Sequence, residues 1–271
     1  VDRRVGFVGA GNMGEALIRG LVQAAVVPAA SIVAHDVRDD RLRELERQFG
    51  IQVAKDNETV VRRTDVVVLA VKPQQIDAVV REIAAAVTPA TLLISIAAGV
   101  STARLAAALG KPARLIRVMP NTPALVLEGV TAIAGGAGLQ GGDLDVAGDI
   151  FRAVGRVVTL DEDLMDAVTG LSGSGPAYVA IVVEALADGG VRMGLDRQTA
   201  MTLALQTVVG AGRLLQQTGL HPGALKDMVS SPGGTTIAGV AALEAGGLRT
   251  ALIGAVERAT ARSRELGKGR D

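Results

Sequence analysis

Arg4-Val-Gly-Phe-Val-Gly-Ala-Gly-Asn-Met-Gly14 passes from a short apolar run into three glycines spaced G-x-G-x-x-G, and a helical pattern then continues to Gln23. Strand, glycine turn and helix in that order form the context in which this spacing receives the pyrophosphate of a dinucleotide. Gly9 makes the tight turn, Gly11 admits the phosphates against bare backbone, and Gly14 lets the helix press on the sheet. Ala10, Asn12 and Met13 complete the loop, and the helix start points its free N–H groups at the bound anion.

Working outward, a second strand over 31–35 ends at Asp36, with Arg38 two residues on. An acid about 20 residues past the last glycine accepts the adenosine ribose 2′-hydroxyl and suits NAD, whereas Arg suits a 2′-phosphate. The pair therefore leaves NADH and NADPH both open. A helix over 39–49 and a short strand near Gln52 follow, then a β-branched strand over 65–70 that runs into Val71-Lys72-Pro73-Gln74. Ligands of a parallel sheet lie beyond the carboxyl ends of its strands, which places Lys72 near the cofactor. After a helix over 75–87 and a strand over 91–96, Ala97-Ala98-Gly99 is a small-residue turn with room for a flat ring. A strand over 114–118 leads to Met119-Pro-Asn-Thr-Pro123, and strands over 129–134 and 156–160 flank a helix over 142–154. This alternation predicts a Rossmann-type doubly wound sheet, an α/β domain over 1–160.

From Asp161 the strand signals stop. Helices are predicted over 163–170, 175–190, 196–219, 222–230, 235–245 and 248–266, an all-α domain over 161–271. The second and third of these are apolar almost all round, and a helix without a polar face is buried on every side. So short a domain cannot enclose both, which predicts a helical dimerisation domain in a homodimer or a dimer-based higher oligomer. Leu171-Ser-Gly-Ser-Gly-Pro-Ala-Tyr178 reads as a capped helix start, with Tyr178 as core filler. Glu184 reads as an interface residue and His221 as a surface-turn residue. In Val229-Ser-Ser-Pro-Gly-Gly-Thr-Thr-Ile-Ala-Gly239, two serines, two threonines and free backbone N–H groups gather at one helix start, with Thr235 or Thr236 able to cap it. Such a stretch is suited to an anion.

Composition narrows the function classes. The 28 basic and 28 acidic residues of this 271-residue chain cancel, so no global field favours nucleic acid or an anionic membrane. The lack of Cys removes disulfides and thiol catalysis, and with only His35 and His221 no metal site is expected. The longest uncharged runs, such as 198–212, fall short of the roughly 20 apolar residues of a membrane span. With a strand at the start and no apolar leader, the expectation is a soluble, cytoplasmic protein.

Taken together and in order, Gly9 to Gly14, Ala70-Val-Lys-Pro-Gln74, Met119-Pro-Asn-Thr-Pro123, Leu171 to Tyr178, Asp188-Gly-Gly-Val-Arg-Met-Gly194 and Val229 to Thr236 closely resemble the pyrroline-5-carboxylate reductases, over essentially the whole chain. The resemblance implies hydride transfer from NADPH or NADH to the C=N carbon of Δ1-pyrroline-5-carboxylate, giving L-proline. It implies that Ser231, Gly233, Gly234, Thr235 and Thr236 bind the substrate, with Thr236 catalytic through a hydrogen bond to the ring nitrogen and Thr235 giving mainly its backbone N–H. Glu162 is a further implied substrate contact. For the dinucleotide it implies Gly9 to Gly14, Asn57 near the adenosine, Ala70, Val71, Lys72 and Pro73, and Ile96, Ala97 and Ala98. The chain departs at Asp36 from family members that carry small hydroxyl residues there, and at Met228, where some relatives have Asn. Two other readings stand beside this one: a β-hydroxyacid-type dehydrogenase, which would need a helical-domain Lys and finds only Lys226 in the helices before the tail, and a non-enzymatic dinucleotide sensor.

Overall fold

The computed structural model describes residues 3–267. These fall into two compact units, one formed by the chain up to Ser174 together with the segment from Arg258, the other by Gly175–Glu257.

The first unit is built on one eight-stranded sheet. Its strands are β1 (Val5–Val8), β2 (Ile32–His35), β3 (Gln52–Val53), β4 (Val66–Leu69), β5 (Leu92–Ser95), β6 (Arg114–Met119), β7 (Gly129–Gly135) and β8 (Gly155–Thr159), ordered β3-β2-β1-β4-β5-β6-β7-β8. Pairing is parallel from β3 to β6; β7 runs antiparallel to β6, and β8 is parallel to β7. Because side chains alternate along a strand, the apolar runs of β1, β4 and β5 feed two cores. Val5, Phe7, Val66, Val68, Leu92 and Ile94 point to one face, where helices α1 (Asn12–Gln23), α2 (Asp39–Phe49) and α6 (Asp143–Arg152) add Leu17, Leu45 and Phe151. Val8, Val67, Leu69 and Leu93 point to the other, against α3 (Asn57–Arg63), α4 (Ile76–Ile83) and α5 (Thr102–Leu109). Helices on both faces of a mostly parallel sheet are the doubly wound arrangement expected from the sequence.

A buried ion pair fastens the far side of this sheet. Arg114 on β6 donates through Nε to Asp143 Oδ2 at 2.9 Å, pairs through its second terminal nitrogen with Oδ1, and also donates to the Ala90 carbonyl at 2.7 Å. Asp143 further accepts the N–H of Gln140. The Arg114 hydrogen bond, opposed by burial, holds the Asp143 carboxyl below its ordinary range.

One expected break is absent. A helix start was predicted at 171–178, yet α7 (Met165–Val168) continues through a π-turn over Thr169–Gly173 into α8 (Gly175–Arg192). Ser172, one of the hydroxyls read as a cap, bonds backward instead to the Val168 carbonyl, as the neighbouring Thr169 does to that of Met165. Bonding to the preceding turn lets Ser and Thr stay inside a helix. By length and composition alone, Glu162–Arg192 could cross a bilayer, a run longer than the sequence-based reading allowed.

The second unit holds the rest of α8, α9 (Arg197–Thr218), α10 (Pro222–Met228), α11 (Thr235–Ala245) and the first part of α12 (Leu248–Gly267). Helices α8 and α9 meet through the small cluster Val183, Ala187, Ala200 and Ala204. Gly190 permits this approach, since a Cβ there would stand 3.1 Å from that of Ala200. Tyr178 was expected as core filler; its hydroxyl donates to the Ala255 carbonyl at 3.3 Å and ties α8 to α12. Many large apolar side chains of the unit lie open in the single chain, among them Ile181, Leu203, Leu205 and Ile253, each more than half exposed.

Candidate functional site

In the first unit, the parallel strands deliver the predicted dinucleotide residues to one edge of the sheet. The Gly9 N–H donates to the His35 carbonyl and the Ala70 N–H to that of Val8, both at 2.8 Å, while the Ile96 N–H reaches Leu69 at 3.2 Å. The turns after β1, β2, β4 and β5 therefore lie side by side, with the strand order reversing between β1 and β4, the usual place for a ligand.

The glycines of the first turn divide its labour. Gly9 has φ +91°, and a Cβ on it would stand 2.8 Å from the Ala70 carbonyl oxygen. A Cβ on Gly14 would stand 2.8 Å from the Gly9 carbonyl oxygen, so α1 starts hard against the turn. Gly11 differs: nothing lies within 4 Å of where its Cβ would be. That opening beside the first N–H groups of α1 fits a diphosphate, and the cradle fits a dinucleotide. No side chain caps α1, whose N-cap residue is Gly11 itself. Of the remaining turn residues, Ala10 is buried, Met13 half-buried and Asn12 exposed, as are Lys72 and Ala98; Ala97 is buried, and Ala70, Val71, Pro73 and Ile96 are half-buried.

Asp36 stands at the end of β2 as predicted, but it also holds the turn. Its Oδ2 accepts the Ala10 N–H at 2.8 Å and its Oδ1 the Arg38 N–H at 3.0 Å. Arg41, which the sequence reading passed over, donates to the Ala10 carbonyl at 3.4 Å and pairs with Glu15 on α1 and Glu44 on its own helix. Asn57 opens α3 beyond β3 and donates its amide to Glu82 at 3.1 Å. The preceding Asp56 caps α3, and hydrogen bonds from Thr59 lower its carboxyl pKa.

Glu162 lies at a different point of the same unit. Its two carboxylate oxygens accept the Thr102 N–H at 2.7 Å and the Thr102 hydroxyl at 2.5 Å, with Arg117 of β6 at 3.7 Å. Arg117 also faces Asp166 at 3.5 Å, which accepts the Ser263 hydroxyl at 2.7 Å. The carboxylate thus anchors the N-terminus of α5, just beyond the Ile96 to Ala98 turn. A cation in the middle of a buried strand was the sequence signal for this cluster.

The second unit carries the hydroxyl-rich stretch. His221 caps α10, its Nδ1 accepting the Gly223 N–H at 3.1 Å, so it is more than a surface-turn residue. Ser230 donates to the Lys226 carbonyl at 2.7 Å. Gly233 adopts φ +67°, and the Gly234 N–H donates to the Ser231 carbonyl at 3.0 Å. The expected hydroxyl cap is not formed: Gly234 is the N-cap residue of α11, and no side chain accepts from the first turn. The left-handed Gly233 brings the chain into the helix through Gly234, which leaves Thr235 and Thr236 inside the helix, one step too late to cap it. A Cβ on Gly234 would run into the Ser231 hydroxyl, so that side chain lies directly over the turn. Thr236 is half-buried and Thr235 exposed. Among the described residues, hydroxyls and the orphan N–H groups of α11 stand together with no side chain satisfying them, a donor set for a carboxylate.

Comparison with known proteins agrees with both halves. The family model described as pyrroline-5-carboxylate reductase dimerisation matches residues 162–266, and that described as NADP oxidoreductase coenzyme F420-dependent matches 4–99. The chain is 49% identical over 267 residues to a pyrroline-5-carboxylate reductase of Methanosarcina acetivorans, covering 98% of this chain and 99% of that protein. It is 46% identical over 263 residues to that of Arabidopsis thaliana, covering 97% and 95%. Among solved structures it is similar to a pyrroline-5-carboxylate reductase of Coxiella burnetii, with TM-score 0.94, 37% identity, and 99% and 100% of the two chains covered. It is also similar to a Plasmodium falciparum pyrroline carboxylate reductase with NADP bound, with TM-score 0.88, 32% identity and 98% of each chain covered.

Proposed function

The chain belongs to the pyrroline-5-carboxylate reductase family, and from that premise we propose that it reduces Δ1-pyrroline-5-carboxylate to L-proline, the last step of proline synthesis. NADPH or NADH, when bound, supplies the hydride. Turns 9–14, 70–73 and 96–98 hold and orient the dinucleotide, with Asp36 and Arg38 beside its adenosine end and Asn57 near it. The Ser231 hydroxyl and the N–H groups of Thr235 and Thr236 that open α11 hold the substrate carboxylate, with Gly233 and Gly234 shaping the turn beneath it. The Thr236 hydroxyl bonds the ring nitrogen.

The uncapped start of α11 is the observation that carries this assignment. A cyclic imine protonated by water already accepts hydride at carbon, and its nitrogen then becomes the secondary amine of the product. No strong general acid is required, which agrees with a chain that has two His and no Cys. What the residues contribute is position: a carboxylate held by several donors and a nitrogen held by a neutral hydroxyl.

The enzyme is a homo-oligomer in this reading, a homodimer or a dimer-based assembly. The support is the open apolar surface of α8, α9 and α12 together with the dimerisation family match. We place the boundary between the dinucleotide-binding and helical domains near Asp161 and the protein in the cytoplasm, with no nucleic-acid or membrane partner. Purified protein mixed with pyrroline-5-carboxylate and NADH or NADPH should oxidise the dinucleotide and form L-proline in equal amounts. Reduction of oxidised dinucleotide by β-hydroxy acids with no oxidation of NADH or NADPH by the imine, or no turnover at all, would refute the assignment.

A further inference from the structure

We propose that this reductase discriminates in favour of NADH and against NADPH, through a carboxylate that its fold fixes in place at Asp36. The inference rests on the dinucleotide reading of the glycine turn. Many carboxylates near a ribose can rotate away from an incoming phosphate; Asp36 is held at both oxygens. Oδ2 accepts the Ala10 N–H at 2.8 Å, inside the glycine turn itself, and Oδ1 accepts the Arg38 N–H at 3.0 Å. The side chain is 12% exposed. Each oxygen keeps a second acceptor position, which two ribose hydroxyls can fill as donors. A 2′-phosphate has no donor to offer and carries close to two negative charges, so it meets a fixed like charge.

Of the neighbouring cations, Arg41 is engaged, and Arg38 is an exposed side chain that leans on the same carboxylate. Arg38 has its Nε 3.6 Å from Asp36 Oδ1, and Arg41 is committed to Glu15, Glu44 and the Ala10 carbonyl. The start of α2, the other local device for a phosphate, carries Asp39 and Asp40 in its first turn. Both the side-chain charges and the helix start on this side of the site are therefore neutralised or negative. The Plasmodium falciparum relative was solved with NADP bound, so the discrimination proposed here is a property of this chain's own residues at the end of β2.

The test is direct titration of the native protein with each reduced dinucleotide, followed by nicotinamide fluorescence, which the lack of Trp leaves free of indole background. NADH should bind about ten- to a hundredfold more tightly than NADPH. In D36S the ratio should narrow or reverse, and in R38A it should stay in favour of NADH. Equal or tighter binding of NADPH by the native protein overturns the proposal, as does a selective loss of NADPH affinity in R38A, which would make Arg38 a phosphate ligand. Binding of neither dinucleotide refutes the cofactor reading itself and the discrimination with it. Should D36S fail to fold, the native ratio and R38A still decide.

Discussion

Replacing Gly11 with Ala separates what the glycine turn does for the fold from what it does for the ligand. Gly11 has φ −66° and ψ −169°, a region open to Ala, and an added Cβ meets no atom within 4 Å. Native-state strain is therefore absent. Ala is a poorer N-cap than Gly by about 0.5 kcal/mol, while the stiffer unfolded chain returns roughly 0.4–1 kcal/mol. The net change in stability is expected to stay under about 1 kcal/mol. The methyl group nevertheless occupies the opening assigned to the pyrophosphate, and dinucleotide affinity is expected to fall at least about tenfold, or roughly 1.4 kcal/mol. Urea unfolding followed by circular dichroism, without dinucleotide, measures the first quantity, and fluorescence titration the second. Gly14→Ala is the contrasting variant, because its Cβ would stand 2.8 Å from the Gly9 carbonyl oxygen and must displace backbone. Native-like dinucleotide affinity in Gly11→Ala would refute the assignment of the opening; a loss of stability as large as that of Gly14→Ala would refute the account of the turn.

Thr236→Ala should lower turnover about 10- to 100-fold while leaving dinucleotide affinity unchanged, and Thr236→Ser should recover most of it; steady-state kinetics with the imine that matched the native enzyme would remove Thr236 from the chemistry. Asp143→Ala leaves Arg114 buried without its partner, and urea unfolding should show a loss of about 3–5 kcal/mol. Because Arg114 depresses the folded-state pKa of Asp143, the stabilisation is complete above the ordinary Asp value of about 3.9 and is lost as pH falls through the lower folded value, so the gap between native protein and Asp143→Asn should close in acid. Leu203→Asp places a charge on the open face of α9, and sedimentation velocity should show a smaller species than the native oligomer; an unchanged mass would count against that face as an interface.

The sheet was legible because local and global signals agree there. Apolar runs such as Val66–Leu69 are short, β-branched and bounded by turns, and each glycine turn follows a strand. The helical half was legible in outline, but the π-turn at Thr169–Gly173 was not. Ser172-Gly-Ser-Gly-Pro176 reads as a cap from sequence, and only packing decides whether such hydroxyls bond forward or backward. The same ambiguity misplaced the cap of α11: a left-handed Gly233 decides which residue enters the helix first, and no pattern of residue types reports that angle. Asp36 was placed correctly at a strand end, while its bond to Ala10 joins residues that only the parallel pairing of β1 and β2 brings together. Arg114 and Arg117 passed as ordinary members of a predicted strand, because their partners Asp143, Glu162 and Asp166 lie on other elements.

The smallness of the α8–α9 cluster makes dilution a form of denaturation. A unit whose buried apolar contacts come to Val183, Ala187, Ala200 and Ala204 draws little cohesion from its own interior, so its free energy depends on how often it meets another copy. Melting temperature should then climb with protein concentration, and rate assays at nanomolar enzyme should show specific activity decaying with the time since dilution, a loss that the product L-proline or a bound dinucleotide slows by mass action.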